Sequence, residues 1–461
     1  MSKVDSIIPL GFDRSHQDFN IPQINRELYG EILTPYTLIF SMFSLIPSHF
    51  FSDPTKKWLD TGCGCGYFSK VLYYKLNEGL SLTMPETLER HNHIIENMMY
   101  MIDIQPKNTT ILKSIFGEKA NIINQDYLKY KNHCLFDFII GNPPFNCNGI
   151  KKVPTNNIKN KKKDGVTIWR DFLIKSLLLL NKNGFLLYIV PSIWMKPDRA
   201  KIHNLLLKYK IHHLHCFTNT QTNGIFNGYA QTPTCFFSLE NTPSDNKIQL
   251  YDSCYKKYIN YKVTEGCAIP VHSQYVVNKL QGYVYSAGSL KVIKASSPPI
   301  RARLSDTSGV LHPYKNVKTC VLAGFTPRLV YQYSNIPLAY HKTPKIILAH
   351  KMYGFPYMDE KGCLGISNRE NYVVVDYTIP ELKNIRDFLS TKLALYVFEA
   401  TRYRMKYLER YAFQLLPDIT KLPNFPKVIN DNSVANYFHL SEKDLDIIKN
   451  FHRNYLCYKI E

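Results

Sequence analysis

Asn142-Pro143-Pro144-Phe145 follows directly on the apolar run Phe136–Ile140 and sets the most specific chemistry in this chain. Two consecutive prolines fix the backbone and remove two N–H donors. The Pro143 carbonyl and the Asn142 side chain then form a rigid pair of hydrogen-bond acceptors, and Phe145 offers a face on which a planar ring can stack. A second group, Asp60-Thr61-Gly62-Cys63-Gly64-Cys65-Gly66, closes the strand-like run Lys57–Thr61 with an acid and a glycine-rich turn. Glycine lets backbone approach a ligand closely, and an acid at a strand's carboxyl end can bind an amine or hydroxyl. The G-x-G-x-G spacing departs from the G-x-G-x-x-G of dinucleotide binders and argues against a nicotinamide cofactor. Cys63 and Cys65 have no second ligand pair at zinc spacing, so no metal centre is expected. Eleven scattered cysteines read as free thiols of a reducing compartment.

These residues need a frame, and the pattern around them supplies one. Strand-like runs at Lys57–Thr61, Met98–Asp103, Asn121–Asn124, Phe136–Gly141, Phe185–Pro191, His212–Phe217 and Thr234–Leu239 alternate with helical stretches at Tyr67–Leu76, Lys107–Phe116, Thr167–Leu180 and Asp198–Lys208. Strands alternating with helices imply a mostly parallel sheet covered on both faces, an α/β fold of Rossmann-like kind. The last two of the seven strands are joined by Thr218–Pro233, which has no helical pattern, and predict an antiparallel hairpin ending the sheet. After Asn241-Thr242-Pro243-Ser244-Asp245 the alternation stops. Residues 1–243 are therefore expected to form the catalytic domain and 244–461 a mixed α+β second domain, with one helix at Thr391–Leu415.

The chain has 461 residues, 45% hydrophobic and 20% charged, which suits two globular domains. A net charge of +20 suits a polyanionic partner, since cations that neutralise phosphates release counterions. No stretch of about 18 apolar residues predicts a membrane span. The N-terminus lacks a signal-peptide pattern, so an intracellular location is expected.

With these motifs in place, the chain resembles the N6-adenine DNA methyltransferases of restriction–modification systems, of the TaqI type with gamma motif order. The resemblance covers the order and spacing of motifs over about residues 30–240 and is only general beyond them. It implies a class I methyltransferase sheet, S-adenosyl-L-methionine as cofactor and double-stranded DNA as substrate. Gly30-Glu31-Ile32-Leu33-Thr34-Pro35 is similar to the motif whose threonine and proline contact the methionine part of the cofactor. Asp60 with Gly62, Gly64 and Gly66 resembles the cofactor loop, and Asp103 the acid on the ribose hydroxyls, with Ile104 against the adenine. The gap from Asp60 to Asp103 is longer than the family's, which marks Asn77–Asn97 as an insertion and leaves Glu86 and Glu89 as rivals of Asp103. Asp126-Tyr127 resembles the pair that holds the cofactor adenine. Asn142, Pro143, Pro144 and Phe145 resemble the catalytic loop, with phenylalanine where tyrosine is commoner. The target adenine must leave the duplex to reach such a loop. Phe226 sits where the family offers a second aromatic to that base, and reads equally as a buried residue.

Two basic segments carry paired readings. Lys161, Lys162 and Lys163, with Lys151, Lys152 and Lys159, form either a flap on DNA phosphates or a solvated loop. Arg402, Lys406 and Arg410 at helical spacing, beside Tyr403, Tyr407 and Tyr411, read as a backbone-contacting edge or as an amphipathic helix packed on a core. The resemblance makes 244–461 a target-recognition domain, with a monomer expected and any cognate restriction endonuclease a separate chain. Methyltransferases of RNA amines and of glutamine amides use the same acceptor loop, and a DNA-binding homologue without activity is a third class. The gamma order favours DNA, and the intact loop favours an enzyme.

Overall fold

The computed structural model describes residues 21–131, 134–149, 165–230, 232–323, 326–350, 355–403 and 408–451. The chain divides into two units: residues up to Tyr251 with Asn260–Val263, and Asp252–Ile259 with the residues from Thr264 onward. Among the described residues no helix is long and apolar enough to cross a membrane.

The first unit opens with helices α1 (Gln23–Tyr29) and α2 (Tyr36–Phe43). Alternation follows: β1 (Trp58–Thr61), α3 (Tyr67–Gly79), α4 (Thr87–His93), β2 (Met99–Asp103), α5 (Pro106–Phe116), β3 (Asn121–Asn124) and β4 (Phe136–Gly141). After the short pair β5 (Asn146–Cys147) and β6 (Val166–Thr167) come α6 (Trp169–Leu179), β7 (Leu180–Pro191), α7 (Ile202–Leu206) and β8 (Tyr209–Phe217). Then follow α8 (Asn219–Ile225), β9 (Thr234–Pro243), β10 (Lys247–Asp252) and β11 (Lys257–Lys262). The main sheet has the order β11-β10-β8-β9-β7-β4-β1-β2-β3. Within it β7, β4, β1, β2 and β3 run parallel, and β9 lies antiparallel between β7 and β8. This is the strand order of a class I methyltransferase, with the seven expected strands present and β10 and β11 added beyond them.

β1 and β4 are apolar because both are buried at the sheet centre, where Trp58 stacks on Phe138 with ring centroids 3.8 Å apart. Strand order reverses at this pair, since β1 joins β2 on one side and β4 on the other. Ligands of open α/β sheets bind outside the carboxyl ends at such a switch point.

Two expectations change, and the insertion takes a defined shape. The Thr218–Pro233 link holds α8, whose polar sequence hides it; a capping box between Thr218 and Gln221 starts it. The segment Asn77–Asn97 is folded, forming the end of α3, α4 and most of a π-helical turn Ile94–Met98. Buried Arg90 ties it together through the Asn77 side chain and the Met84 and Pro85 carbonyls. The long helix at Thr391–Leu415 is instead a helix over Lys392–Glu399 and a 3-10 turn over Arg410–Leu415.

The second unit begins its helices with α9 (Gln274–Ala287). Its strands are β12 (Ile293–Lys294), β13 (Leu304–Ser305), β14 (Tyr314–Ala323), β15 (Thr326–Ser334), β16 (Lys345–Ala349), β17 (Tyr357–Asp359), β18 (Gly365–Ile366) and β19 (Asn371–Val374). They form sheets of order β12-β19-β16-β17 and β13-β15-β14-β18. Helices Ile379–Leu389, Lys392–Glu399, Asp431–Tyr437 and Glu442–Phe451 follow.

Candidate active site

A cleft of about 300 Å³ opens at the switch point, lined by residues 28–34, the glycine turn, Asp103 to Gln105, Gln125 to Leu128, Asn142, Pro144 and Phe172. The turn after β1 owes its shape to glycine. Gly64 has φ +53° and donates its N–H to Asp103 Oδ2 at 2.8 Å. Gly66 starts α3 at φ +83°, where a Cβ would stand 2.5 Å from Leu112 Cδ2. The loop thus wraps the carboxylate at the end of β2 and leaves backbone facing the cleft.

Asp103 is fixed further, its Oδ1 accepting from Gln105 N at 2.8 Å and Asn108 Nδ2 at 3.1 Å. Burial raises its carboxyl above the ordinary value, against the Gln105 and Gly64 N–H groups that lower it. Its rivals lie elsewhere: Glu86 caps α4, accepting from Glu89 N at 2.5 Å, and neither glutamate lines the cleft. Asp60 is buried beneath the turn, with Ser69 Oγ donating to Oδ2 at 2.6 Å and Oδ1 without a partner. Desolvation pushes this carboxyl up to about 7, with the Ser69 hydrogen bond opposing and Asp103 adding to the rise.

On the far wall, Asp126 starts a 3-10 turn by accepting from Leu128 N at 2.9 Å, and Ile104 is half exposed. Tyr127 lines the cleft with its ring, while its hydroxyl turns inward to Ser176 Oγ at 2.8 Å. Ser176 Oγ also lies 2.7 Å from Tyr188 OH and donates to Phe172 O at 2.8 Å; Tyr188 OH in turn meets Thr61 Oγ1.

Asn142 follows β4 immediately, and its Nδ2 donates to buried Thr34 Oγ1 at 3.1 Å. That donation leaves Oδ1 as the acceptor. The 30–34 segment reaches the loop because Gly30, at φ +67°, has no side chain; a Cβ there would collide with the Asn146 carbonyl oxygen. Pro143, Phe145 and Phe226 line a small adjoining hollow with Asn142, Gly30, Ile32 and Ala230. Phe226 is 1% exposed and belongs to the core as well as to this hollow.

The structure thus brings Thr34, Gly62, Gly64, Asp103, Ile104, Asp126, Tyr127, Asn142 and Pro144 to one cleft. Pro35 lies outside it, starting α2 and lining a separate hollow with Tyr36 and His215. Glu31 does not stand out in the sequence; its Oε2 accepts from Gln105 Nε2 at 2.9 Å and Asn25 Nδ2 at 3.2 Å at the cleft wall. Its place within the Gly30–Pro35 motif is the one signal that points to it. Lys161, Lys162, Lys163 and Lys406 lie outside the described residues. The basic edge at 402–410 is corrected: the helix stops at Glu399, Arg402 Nη1 pairs with Glu399 Oε2 at 2.6 Å, and Arg410 lies over the Tyr411 ring at 4.9 Å. Tyr403 is fully buried and donates to the Ile269 carbonyl at 2.6 Å.

A class I methyltransferase fold takes S-adenosyl-L-methionine, and the residues present fit it. The partnerless Asp60 oxygen and the Glu31 carboxylate suit its ammonium, and Asp103 keeps lone pairs for the ribose hydroxyls beside an open backbone turn. Residues 33–223 match the family model described as Eco57I restriction-modification methylase. The type II methyltransferase M.AccI of Acinetobacter calcoaceticus is 28% identical over 196 residues, 40% of this chain and 32% of that protein. The modification methylase CviBIII of Paramecium bursaria Chlorella virus NC1A is 25% identical over 231 residues, 48% of this chain and 52% of that protein. These matches span about a third to a half of the relatives' length. The solved type IIL restriction-modification enzyme MmeI in complex with DNA aligns with TM-score 0.45 and 13% identity over 86% of this chain and 69% of that one. Over residues 33–223, then, this chain is similar to the Eco57I restriction-modification methylases.

Proposed function

We propose that the chain is a DNA methyltransferase that transfers a methyl group from S-adenosyl-L-methionine to the exocyclic N6 amine of an adenine flipped out of duplex DNA. The observation that carries this reading is the Asn142 amide at the cleft, whose nitrogen is held by Thr34 so that its oxygen is left as the acceptor. An adenine amine attacks poorly because its lone pair is delocalised into the ring. Asn142 Oδ1 and the Pro143 carbonyl, accepting from its two hydrogens, favour a tetrahedral nitrogen with a localised pair and stabilise the positive charge that develops there. This is pre-organised electrostatic stabilisation with acceptors in place of the usual donors. The cofactor's sulfonium supplies the activated methyl group. Phe145, half-buried beside Asn142, offers its ring to the base, and Phe226 becomes the second wall when the hollow between them opens. The second unit serves as the target-recognition domain, and the net charge of +20 supports a polyanionic substrate. The protein acts as a monomer, with any cognate endonuclease a separate chain.

The test uses the full chain with labelled S-adenosyl-L-methionine and unmethylated duplex DNA, with structured RNA in parallel. Label in N6-methyladenine is expected from DNA, falling by about a hundredfold or more in Asn142→Ala while cofactor binding persists. Label confined to RNA, or recovered in N4-methylcytosine, overturns the proposal.

A further inference from the structure

Among the described residues, two turns of the second unit carry its most exposed large aliphatic side chains. In the first, Ala302 N donates to Pro299 O at 2.9 Å, which puts Ile300 and Arg301 at the tip. In the second, His312 N donates to Gly309 O at 2.9 Å, which puts Val310 and Leu311 at the tip. Ile300 is 106% exposed, Val310 98% and Leu311 78%. Between the turns lies β13, pairing with β15 through Leu304 and Ser334. Asn335 adds a clamp at its edge, its Oδ1 accepting from Arg303 N at 2.7 Å. The tips are therefore held by hydrogen-bonded backbone at both bases.

The surroundings are cationic. Residues 291–328 contain seven lysines and arginines against one acid, Asp306, and that acid is paired with Lys318 at 3.2 Å. Arg301 and Arg303 are exposed, and neither is paired with a carboxylate among the described residues. Apolar tips set in a positive field match the grooves of duplex DNA. There, cations take phosphates while aliphatic side chains meet thymine methyls or wedge between base steps. A protein partner would face a different surface, because the cores of protein interfaces are depleted of charge.

We propose that the Pro299–Ala302 and Gly309–His312 turns enter a groove of duplex DNA, with Ile300, Val310 and Leu311 against bases and Arg301 and Arg303 on phosphates. The inference rests on the reading of the chain as a DNA methyltransferase and names the part of the second unit that meets the substrate. All five side chains are exposed, so substituting them spares the core.

The experiment compares the full-length wild type with an Arg301→Gln/Arg303→Gln variant and an Ile300→Ser/Val310→Ser/Leu311→Ser variant. Binding to random-sequence unmethylated duplexes is titrated against salt, methylated positions in genomic DNA are mapped by sequencing, and cofactor affinity is the folding control. The arginine variant is expected to lower the salt slope by about two, roughly one for each phosphate no longer neutralised. The apolar variant is expected to keep the slope, lose about tenfold in methylation efficiency at wild-type sites and spread to others. Unchanged slope and unchanged sites in both variants overturn the inference, as does a change confined to self-association in ultracentrifugation. A wild type that binds duplex DNA but methylates none of it defeats the underlying reading alone. The binding and salt arms still decide the turns in that case.

Discussion

At the scale of single residues, the site depends on what each polar atom already holds. On the proposed reading Thr34 is a positioning residue for Asn142: its hydroxyl takes the amide nitrogen and thereby leaves the amide oxygen as the acceptor. Thr34→Val is expected to lower kcat about tenfold with a smaller change in cofactor affinity, and Thr34→Ser to restore kcat. Equal loss in both quantities would assign Thr34 to cofactor binding alone. Asp60 makes a pH-dependent prediction. Its folded carboxyl titrates at about 7, above the unfolded value, so the folded state holds the extra proton and stability falls as pH rises through that value. Asp60→Asn is expected to raise the melting temperature at about pH 8 more than at about pH 5, and to weaken cofactor binding at both. A melting difference that ignores pH would refute this account. Asp60, Asp103 and Asn142 were legible as candidates because each lies at or next to the carboxyl end of a buried strand. The Asn142–Thr34 bond was not, because it joins residues far apart in sequence and depends on the close approach that Gly30 permits.

At the scale of elements, the apolar runs located the sheet strands because most are buried, and the central parallel ones such as β4 and β7 read as near-continuous hydrophobic segments. The errors fell where tertiary contacts override local pattern. The stripes at 402–411 have helical spacing and no proline or glycine to end them. Yet the helix ends at Glu399, and Tyr403 is buried with its hydroxyl donating to the Ile269 carbonyl. α8 was missed for the opposite reason, being polar and seven residues long, with its start set by side chains. Thr218 Oγ1 accepts from Gln221 N at 3.2 Å, and Gln221 Oε1 from Thr218 N at 2.9 Å. Thr218→Ala is expected to cost about 1 kcal/mol locally. Faster amide exchange over 219–226, with β4 and β7 unchanged, is the observation to seek. Since Phe226 caps this helix, the same variant should loosen the hollow beside Asn142.

At the scale of the molecule, the two units have separate kinds of core. The first is a single sheet covered by helices, while the second uses small sheets with buried polar ties. Lys345 is fully buried, its Nζ donating to Asp359 Oδ2 at 2.6 Å and to the Tyr340 and Thr343 carbonyls at 3.0 and 3.1 Å. Removing it leaves the Asp359 carboxylate buried without its cation. Lys345→Ala is expected to cost about 3–5 kcal/mol in thermal or denaturant unfolding. Cofactor affinity of the folded protein should hold, because every cleft residue belongs to the first unit. A parallel loss of cofactor binding would contradict that division. Composition could not reveal β10 and β11, because the Asn241–Asp245 stretch that reads as a linker is only the end of β9 and the start of the turn leading into β10.

The hydroxyls under the cleft have one further consequence. Ser176 Oγ lies within hydrogen-bond reach of the Phe172 carbonyl and of both phenols, and Tyr188 also meets Thr61, so four hydroxyls share one buried chain in which each has a single proton to give. The chain runs from Thr61 through Tyr188 and Ser176 to Tyr127, with the Phe172 carbonyl as a further acceptor at Ser176. It keys the end of the strand bearing the glycine turn to the wall bearing Tyr127. Removing the Ser176 hydroxyl would take the shared partner from both phenols and let the two banks of the cleft drift apart.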